Sequence, residues 1–240
     1  MPITFVRLPH TEVAQNVVYR GMPQFPGRLV ECLGDRAPRS LWIAGLPELI
    51  HLVDSGQSRS VALAASVESP LSVAEATSDL VRELALRGAV FIGGFHSPLE
   101  RLCLDELVVS ARPAILFLGR TLSGLRTTHR WLQPLKDGKL VLVSACGPSH
   151  KRATLDSVRM RNDCVLALAD RFVIPHATVG GKTETLCREV LKAGKTVWTL
   201  NHAGSRNLIA LGAKLATAGK ANEILNSGRK SLAASSNPGE

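Results

Sequence analysis

The alternation of short, almost wholly apolar segments with longer segments of helical periodicity is the feature that most constrains the fold. Strands that are apolar on both faces are typical of a parallel sheet that helices cover on both sides. The predicted strands are residues 41–44, 61–65, 89–92, 113–118, 140–144, 171–175 and 196–200. We therefore expect an α/β fold, with a mostly parallel sheet of six or seven strands and helices on both faces.

The chain length of 240 residues suits one α/β domain with a sizeable core. Several prolines interrupt residues 1–58. We therefore expect these residues to form a small N-terminal extension packed on that core. The regular alternation occupies residues 59–228, the predicted main domain. Residues 229–240 are small and polar, so we expect them to form a flexible tail.

The sequence also indicates the cellular compartment. No apolar run approaches the ~18 residues of a membrane-spanning helix, so we expect no membrane association. The first residues lack the pattern of a secretory signal. The five cysteines are an odd number without Cys-x-x-Cys spacing. This pattern predicts reduced thiols of a cytoplasmic protein rather than disulfides or a zinc site.

Positive charge is concentrated in one segment of the chain. Residues 112–161 contain ten lysines or arginines against only Asp137 and Asp156, which gives +8 of the formal net charge of +9. A local basic excess in loops between strands favours a polyphosphate partner. The alternative interpretation is a charged surface that keeps the protein in solution.

Three glycine-bearing loops follow predicted strands, at the edge where parallel sheets bind ligands. Glycines let backbone approach a ligand, and a helix N-terminus presents unpaired N–H groups to an anion. The candidate binding residues in these loops are Gly93, Gly94, Phe95, His96, Ser97, Gly119, Arg120, Arg126, Gly180, Gly181, Lys182 and Thr183. Each loop taken alone is also compatible with a simple tight turn.

The sequence favours a binding site without catalysis, metal or cofactor. The segment 180–183 lacks the first glycine of a phosphate-binding P-loop, because His176 stands there. No Gly-x-Gly-x-x-Gly follows the first strand, so a dinucleotide cofactor is not expected. Ser97 is explained as the N-cap of a helix with Glu100 in a capping box, and no carboxylate can be placed to orient His96.

Three further segments carry a family resemblance. Arg161 and Asn162, predicted to open a helix, lie in Met-Arg-Asn-Asp (160–163). Residues 180–185 read Gly-Gly-Lys-Thr-Glu-Thr, and residues 207–213 read Asn-Leu-Ile-Ala-Leu-Gly-Ala, so Asn207 joins the candidate residues. Together with residues 25–29 and 38–45, these segments resemble the DNA-processing protein A (DprA/Smf) family over residues 25–213.

The resemblance implies a Rossmann-like domain that binds single-stranded DNA and mediates recombination during DNA processing, uptake and transformation. It implies a homodimer, with the RecA recombinase as a candidate partner. The chain departs from the family pattern at three places. Ala64-Ala65-Ser66 replaces Gly-Ser-Arg, the loop at 93–97 is shortened, and Asp163 replaces the second arginine. Residues 215–228 predict only one helix, so we expect no separate winged-helix domain there.

Two alternatives share the same architecture. The phosphoribohydrolase (lysine decarboxylase-like) family has a Pro-Gly-Gly-x-Gly-Thr-x-x-Glu signature, which Gly180 and Gly181 begin to match. The later glycine position is Thr183, and the glutamate position is Cys187. The runner-up function is therefore an enzyme that cleaves nucleoside monophosphates. The other alternative is a sensor that binds a nucleotide in the same pocket without chemistry.

Overall fold

The computed structural model describes residues 5–8, 15–216 and 219–227. The strands are β1 (Phe5–Arg7), β2 (Gln15–Tyr19), β3 (Ser40–Ala44), β4 (Ser60–Leu63), β5 (Val90–Gly93), β6 (Ala114–Leu118), β7 (Arg126–Thr128), β8 (Leu140–Ser144), β9 (Arg171–Val173), β10 (Thr196–Leu200) and β11 (Lys214–Ala216). The helices are α1 (Gly27–Leu33), α2 (Glu48–Asp54), α3 (Leu71–Leu86), α4 (Pro98–Val109), α5 (His129–Lys136), α6 (Leu155–Leu168), α7 (Lys182–Lys192), α8 (Arg206–Ala210) and α9 (Ala221–Asn226).

The predicted α/β architecture is confirmed. Within the described ranges, the main sheet has nine strands in the order β11-β10-β9-β4-β5-β6-β8-β3-β2. The strands from β11 to β8 are parallel, whereas β3 is antiparallel to both β8 and β2. A second sheet pairs β1 with β7. The predicted number of six or seven strands was too low, because β1, β2, β7 and β11 lie in short segments that are not continuously apolar.

The sheet is covered on both faces, which explains its continuously apolar strands. Successive residues of a strand point to opposite faces. Phe91 of β5 belongs to a core cluster that includes Leu84 of α3 and Leu107 of α4. The adjacent Ile92 belongs to a second cluster, which includes Cys164 of α6. Both faces of the strand are therefore buried in apolar surroundings.

The predicted N-terminal extension supplies β2 and β3 at one edge of the main sheet. The N–H groups of Gly27 and Arg28 at the start of α1 donate to the Asp54 carboxylate at 2.8 and 2.9 Å. Arg28 also forms an ion pair of 3.1 Å with Asp170. The division at residue 58 stays a prediction, and the predicted tail at 229–240 lies outside the described residues.

In several places the local structure differs from what the sequence pattern predicts. Residues 72–75 read Ser-Val-Ala-Glu, the pattern of a capping box at a helix start. Helix α3 instead begins after Pro70 without a side-chain cap, and Ser72 Oγ lies 3.3 Å from His202 Nε2. The sequence of residues 127–136 predicts one basic helix, but helix α5 begins only at His129, because the residues before it form β7. The segment after Ala213 contains β11 as well as α9. No helix in the described part of the chain is long and apolar enough to cross a bilayer.

Candidate nucleic-acid interface

A cavity of about 220 Å³ opens at the carboxyl edge of the sheet, between the loop after β5 and helices α6 and α7. The strands β9, β4 and β5 are adjacent and parallel, so their carboxyl ends meet there. The candidate residues that line this cavity are Gly93, Gly94, His96, Arg161, Asn162, Lys182 and Thr183. Most of the other lining residues are apolar, and they are Ala62, Leu63, Ala64, Val158, Val165, Phe172 and Leu186.

A larger and more open cavity of about 570 Å³ lies beside α6, near the start of β3. Its charged lining residues are Asp35, Arg36, Arg39, Asp156, Arg159 and Asp163. The three arginines and three aspartates balance, and Arg36 is already paired with Asp163 at 3.3 Å. This charge balance favours the smaller, cationic cavity as the anion site.

Gly94 allows the loop after β5 to lie directly against Arg161. A Cβ atom at position 94 would lie 2.8 Å from the Arg161 Cζ atom, closer than side chains tolerate. Gly93 is similarly close to β4, because its Cβ would be 3.1 Å from the Leu63 carbonyl oxygen. The two glycines therefore serve close packing at the rim of the cavity.

Arg161 lies in the middle of α6, not at a helix start as predicted. Its guanidinium is mostly buried, and its Nε and Nη2 atoms donate to Asn162 Oδ1 at 3.2 and 2.8 Å. Its Nη1 atom contacts Nε2 of His96. These bonds leave part of the five-donor guanidinium fork for a ligand.

His96 is held in the neutral form. Burial, followed by the charges of Arg161 and Arg101, lowers the pKa of its imidazole to about 4. At neutral pH the unprotonated Nε2 atom can therefore accept from Arg161. His96 thus orients a cation of the cavity without adding a charge.

Phe95 turns away from the cavity. Its φ angle of 47° is in the left-handed region, which non-glycine residues adopt with difficulty. This conformation directs the ring into the core, where only 4% of the residue is exposed. The adjacent Ser97 is also buried and caps α4, because its Oγ accepts from the Glu100 N–H at 3.2 Å. The N-cap prediction for Ser97 is confirmed.

The Gly180-Gly181 turn brings the N-terminus of α7 to the cavity. Gly180 has a φ angle of 71°, and a Cβ at Gly181 would lie 2.9 Å from the Thr178 carbonyl oxygen. Among the described residues, no side chain caps α7, and Lys182 is exposed without a hydrogen bond or ion pair. The first turn of α7 thus presents N–H groups and a free ammonium group.

The side chains of Glu184 and Asn207 hold the Gly180-Gly181 turn in place through hydrogen bonds. The buried Glu184 carboxylate accepts from the Gly180 N–H at 3.0 Å and from Asn207 Nδ2 at 2.9 Å. Asn207 also donates to the Ala177 carbonyl at 3.1 Å. The Asn207 amide, Arg188 and the Gly180 N–H hold the pKa of Glu184 below its usual range. Asn207 therefore supports the loop through Glu184 and the Ala177 carbonyl and does not line the cavity. No sequence signal indicated its pairing with Glu184.

The remaining candidate residues lie outside the lining of the cavity. Gly119 packs on α6, where Ser157 Oγ donates to its carbonyl at 2.6 Å. Arg120 is exposed in the loop after β6, and Arg126 is exposed on β7. Arg120 follows β6, the strand next to β5, and so continues the same carboxyl edge, whereas Arg126 belongs to the second sheet.

Sequence reasoning missed the position of Glu100, which it assigned only to a helix cap. Its carboxylate accepts from the backbone N–H groups of Ala65 and His96, at 2.8 and 2.7 Å. Burial raises the pKa of this carboxyl, and the two N–H groups act in the opposite direction. Within the described ranges, no group of three or more His, Cys, Asp or Glu side chains could hold a metal ion.

Comparison with known proteins relates the fold to solved structures. No family model matches the sequence, and no curated protein matches it significantly. DNA processing protein A (DprA) from Streptococcus pneumoniae is similar in structure, with a TM-score of 0.72 and 18% identity over 87% of this chain and 73% of that protein.

A second similar structure is DprA from Helicobacter pylori, described in terms of its single-stranded DNA binding mode. It has a TM-score of 0.71 and 19% identity, over 89% of this chain and 94% of that protein. A molybdenum cofactor binding protein from Rippkaea orientalis is less similar, with a TM-score of 0.48. The two DprA structures confirm the resemblance at the level of the fold: this chain has the Rossmann-like fold of DNA processing protein A.

Proposed function

We propose that this protein binds single-stranded DNA along the carboxyl edge of its main sheet. The observation that carries the proposal is the convergence of Arg161 and Lys182, from two different helices, on one cavity at an uncapped helix N-terminus. Phosphates bind at helix N-termini because unpaired N–H groups and the helix dipole favour negative charge. The H. pylori protein of the same fold, described as binding single-stranded DNA, supports the proposal.

The lining of the cavity favours a single strand over a duplex. Its floor is apolar, with Val165, Phe172 and Leu186 among its residues, and its rim is cationic. An unpaired base has a free face that can lie against apolar side chains while its phosphates contact the rim. The bases of a duplex are stacked inside the helix and do not offer that face.

We assign the direct contacts to the exposed cationic and backbone groups. Lys182 and Thr183, with the N–H groups of the first turn of α7, contact one phosphate. Arg161 contacts the same or the next phosphate through its remaining donors. Arg120 extends the path, because it follows the neighbouring strand β6 and neighbouring strands are only about 4.8 Å apart. Arg126, an exposed cation on β7, is a further contact of the same DNA strand.

The other candidate residues act through these groups. Gly93 and Gly94 permit the close packing of the loop on Arg161, and His96 orients that arginine. The buried Phe95 and Ser97 hold the shape of the loop and do not stack on a base. Asn207 and Gly119 support the edge from within the protein, and the Gly180-Gly181 turn sets the position of the N-terminus of α7.

The wider role follows the family resemblance. We propose that the protein is a cytoplasmic homodimer that mediates recombination during DNA processing or uptake, with RecA as its protein partner. A mediator of this kind needs to bind DNA without cleaving it, so we propose that the protein is not an enzyme.

A fluorescence anisotropy titration with labelled single- and double-stranded oligonucleotides of one sequence tests the proposal. We expect tighter binding to the single strand, and affinity that falls linearly on a logarithmic salt scale. Equal affinity for both forms, or affinity independent of salt, would contradict the proposal.

A nucleotide is the second candidate ligand, because a cavity of about 220 Å³ with one cationic rim also suits a single nucleotide. A sensor would bind nucleoside monophosphates and release them unchanged, whereas a phosphoribohydrolase would release free base. Cys187, at the glutamate position of the hydrolase signature, is fully buried, and burial raises its thiol pKa to about 11. We therefore expect chromatography to detect no released base.

A further inference from the structure

The carboxylate of Glu100 joins two loops that flank the cavity. Glu100 lies in the first turn of α4 and is 7% exposed. Its Oε1 atom accepts from the N–H of Ala65, just after β4, at 2.8 Å. Its Oε2 atom accepts from the N–H of His96, just after β5, at 2.7 Å. One side chain therefore fixes the spacing of the two chain segments that leave adjacent parallel strands.

The loop after β5 needs such a restraint. Phe95 has a left-handed φ angle of 47°, a conformation that non-glycine residues keep only when their surroundings impose it. The N–H that Glu100 accepts belongs to the next residue, His96. The hydrogen bond from the His96 N–H to Glu100 therefore restrains the strained backbone at Phe95. This backbone conformation places Gly94 against the Arg161 guanidinium.

A buried carboxylate is an unfavourable neighbour for a site that binds phosphates. Glu100 lines the same cavity as Arg161 and Lys182, and its negative charge opposes theirs. Burial of a charge also requires full hydrogen bonding to be tolerated. The buried charge of Glu100 is costly to keep and also repels a phosphate. Such a residue is expected where the geometry of its hydrogen bonds matters more than its charge.

We propose that Glu100 is a positioning residue for nucleic-acid binding: its carboxylate holds the 93–97 loop and the β4 loop at the spacing that places Arg161 at the phosphate site beside Lys182. The inference rests on the proposed DNA-binding function. Glu100 does not touch DNA in this account. It acts through His96, Gly94 and Arg161.

Two substitutions of Glu100 separate its positioning role from the effect of its negative charge. Glu100→Gln keeps the length of the side chain and removes its charge, but it turns one acceptor into an NH₂ group that faces a backbone N–H. Glu100→Asp keeps the charge and shortens the side chain, so that it cannot reach both N–H groups. Asp105→Asn is the matched control, because it removes an exposed carboxylate from the same helix.

The experiment measures single-stranded DNA affinity by anisotropy at several salt concentrations, with circular dichroism to establish that each variant is folded. We expect both E100Q and E100D to bind about tenfold more weakly, the equivalent of one lost charge-assisted hydrogen bond. We also expect a salt slope lower by about one, because one phosphate contact is lost. D105N should bind like the wild type.

An increase of single-stranded DNA affinity in E100Q would overturn the inference. If Glu100 is only a nearby charge, E100Q binds DNA more tightly than the wild type and E100D binds equally well. If wild type and D105N themselves fail to bind single-stranded DNA, the proposed function fails instead. Loss of folding in E100Q leaves E100D to decide, and an E100D variant with wild-type affinity and salt slope refutes the positioning role.

Discussion

Arg161 of α6 and His96 of the loop after β5, 65 positions apart in the chain, contact each other through Nη1 and Nε2. The contact requires a neutral imidazole, and burial with the nearby charges of Arg161 and Arg101 lowers the His96 pKa to about 4. The pair therefore links the loop to the helix at neutral pH. Arg161 carries the charge of the pair, because His96 is neutral at this pH.

The lowered pKa of His96 predicts a pH dependence of stability. The unfolded chain protonates His96 near pH ~6.5, whereas the folded chain does so near pH 4. Between these values the unfolded state binds more protons, so the free energy of unfolding falls as the pH is lowered from about 6.5 to about 4. His96→Gln removes this component.

Urea denaturation of wild type and H96Q across this pH range measures the effect. The stability difference in favour of the wild type should shrink on acidification, because the wild type alone carries the His96 imidazole with its lowered pKa. A difference that stays constant with pH would contradict the lowered pKa of His96 in the folded protein.

Gly94→Ala tests the close approach of the loop to Arg161. The added Cβ would lie 2.8 Å from Arg161 Cζ, so the guanidinium or the loop must move. We expect weaker DNA binding because the guanidinium is displaced, with only a small loss of stability, since the atoms that must move are the ends of the Arg161 and His96 side chains. Gly27→Ala is the control, since its Cβ would meet atoms no closer than 3.7 Å. Unchanged stability and affinity in G94A would contradict the described packing.

Lys182→Ala tests the proposed phosphate contact at the N-terminus of α7. A cation at this end of a helix opposes the dipole, so its removal should leave stability unchanged or raise it by a few tenths of a kcal/mol. DNA affinity should fall, and the salt slope should decrease by about one. Lys192→Ala, at the other end of α7, should leave DNA binding unchanged. A lower melting temperature with unchanged binding would mean that the Lys182 stem only covers apolar surface.

Asn207→Ala distinguishes a supporting residue from a ligand contact. The substitution removes the donors to Glu184 and to the Ala177 carbonyl, so we expect a loss of about 1–3 kcal/mol in thermal or chemical denaturation. DNA binding should weaken only as far as the Gly180-Gly181 turn loosens. Normal stability with abolished DNA binding would instead identify Asn207 as a direct contact.

The strands of the sheet centre could be predicted because they are buried on both faces. β5 and β8 read as continuous apolar runs, and both are fully buried. β2 at the sheet edge reads Gln-Asn-Val-Val-Tyr, with only one buried position, so no periodicity distinguished it from a loop. Arg126 was placed in a loop because its strand partner β1 is more than a hundred residues away in the chain.

The cavity could be predicted in part, through the rule that carboxyl ends of parallel strands meet. That rule brought the loop at 93–97 and Lys182 together. It could not reveal the inward turn of Phe95, which depends on one backbone angle. Nor could it reveal Glu100, whose partner Ala65 is 35 positions away. Such contacts arise from tertiary packing and leave no local pattern.

We propose that single-stranded DNA binds at the cavity through phosphate contacts to Lys182 and Arg161. The most direct measurement is the salt dependence of single-stranded DNA affinity for wild type and Lys182→Ala, with a duplex of the same sequence as the comparison. We predict stronger binding of the single strand, a steep salt slope, and a slope lower by about one in the variant. Equal binding of duplex and single strand, or identical salt slopes for the two proteins, would contradict the account.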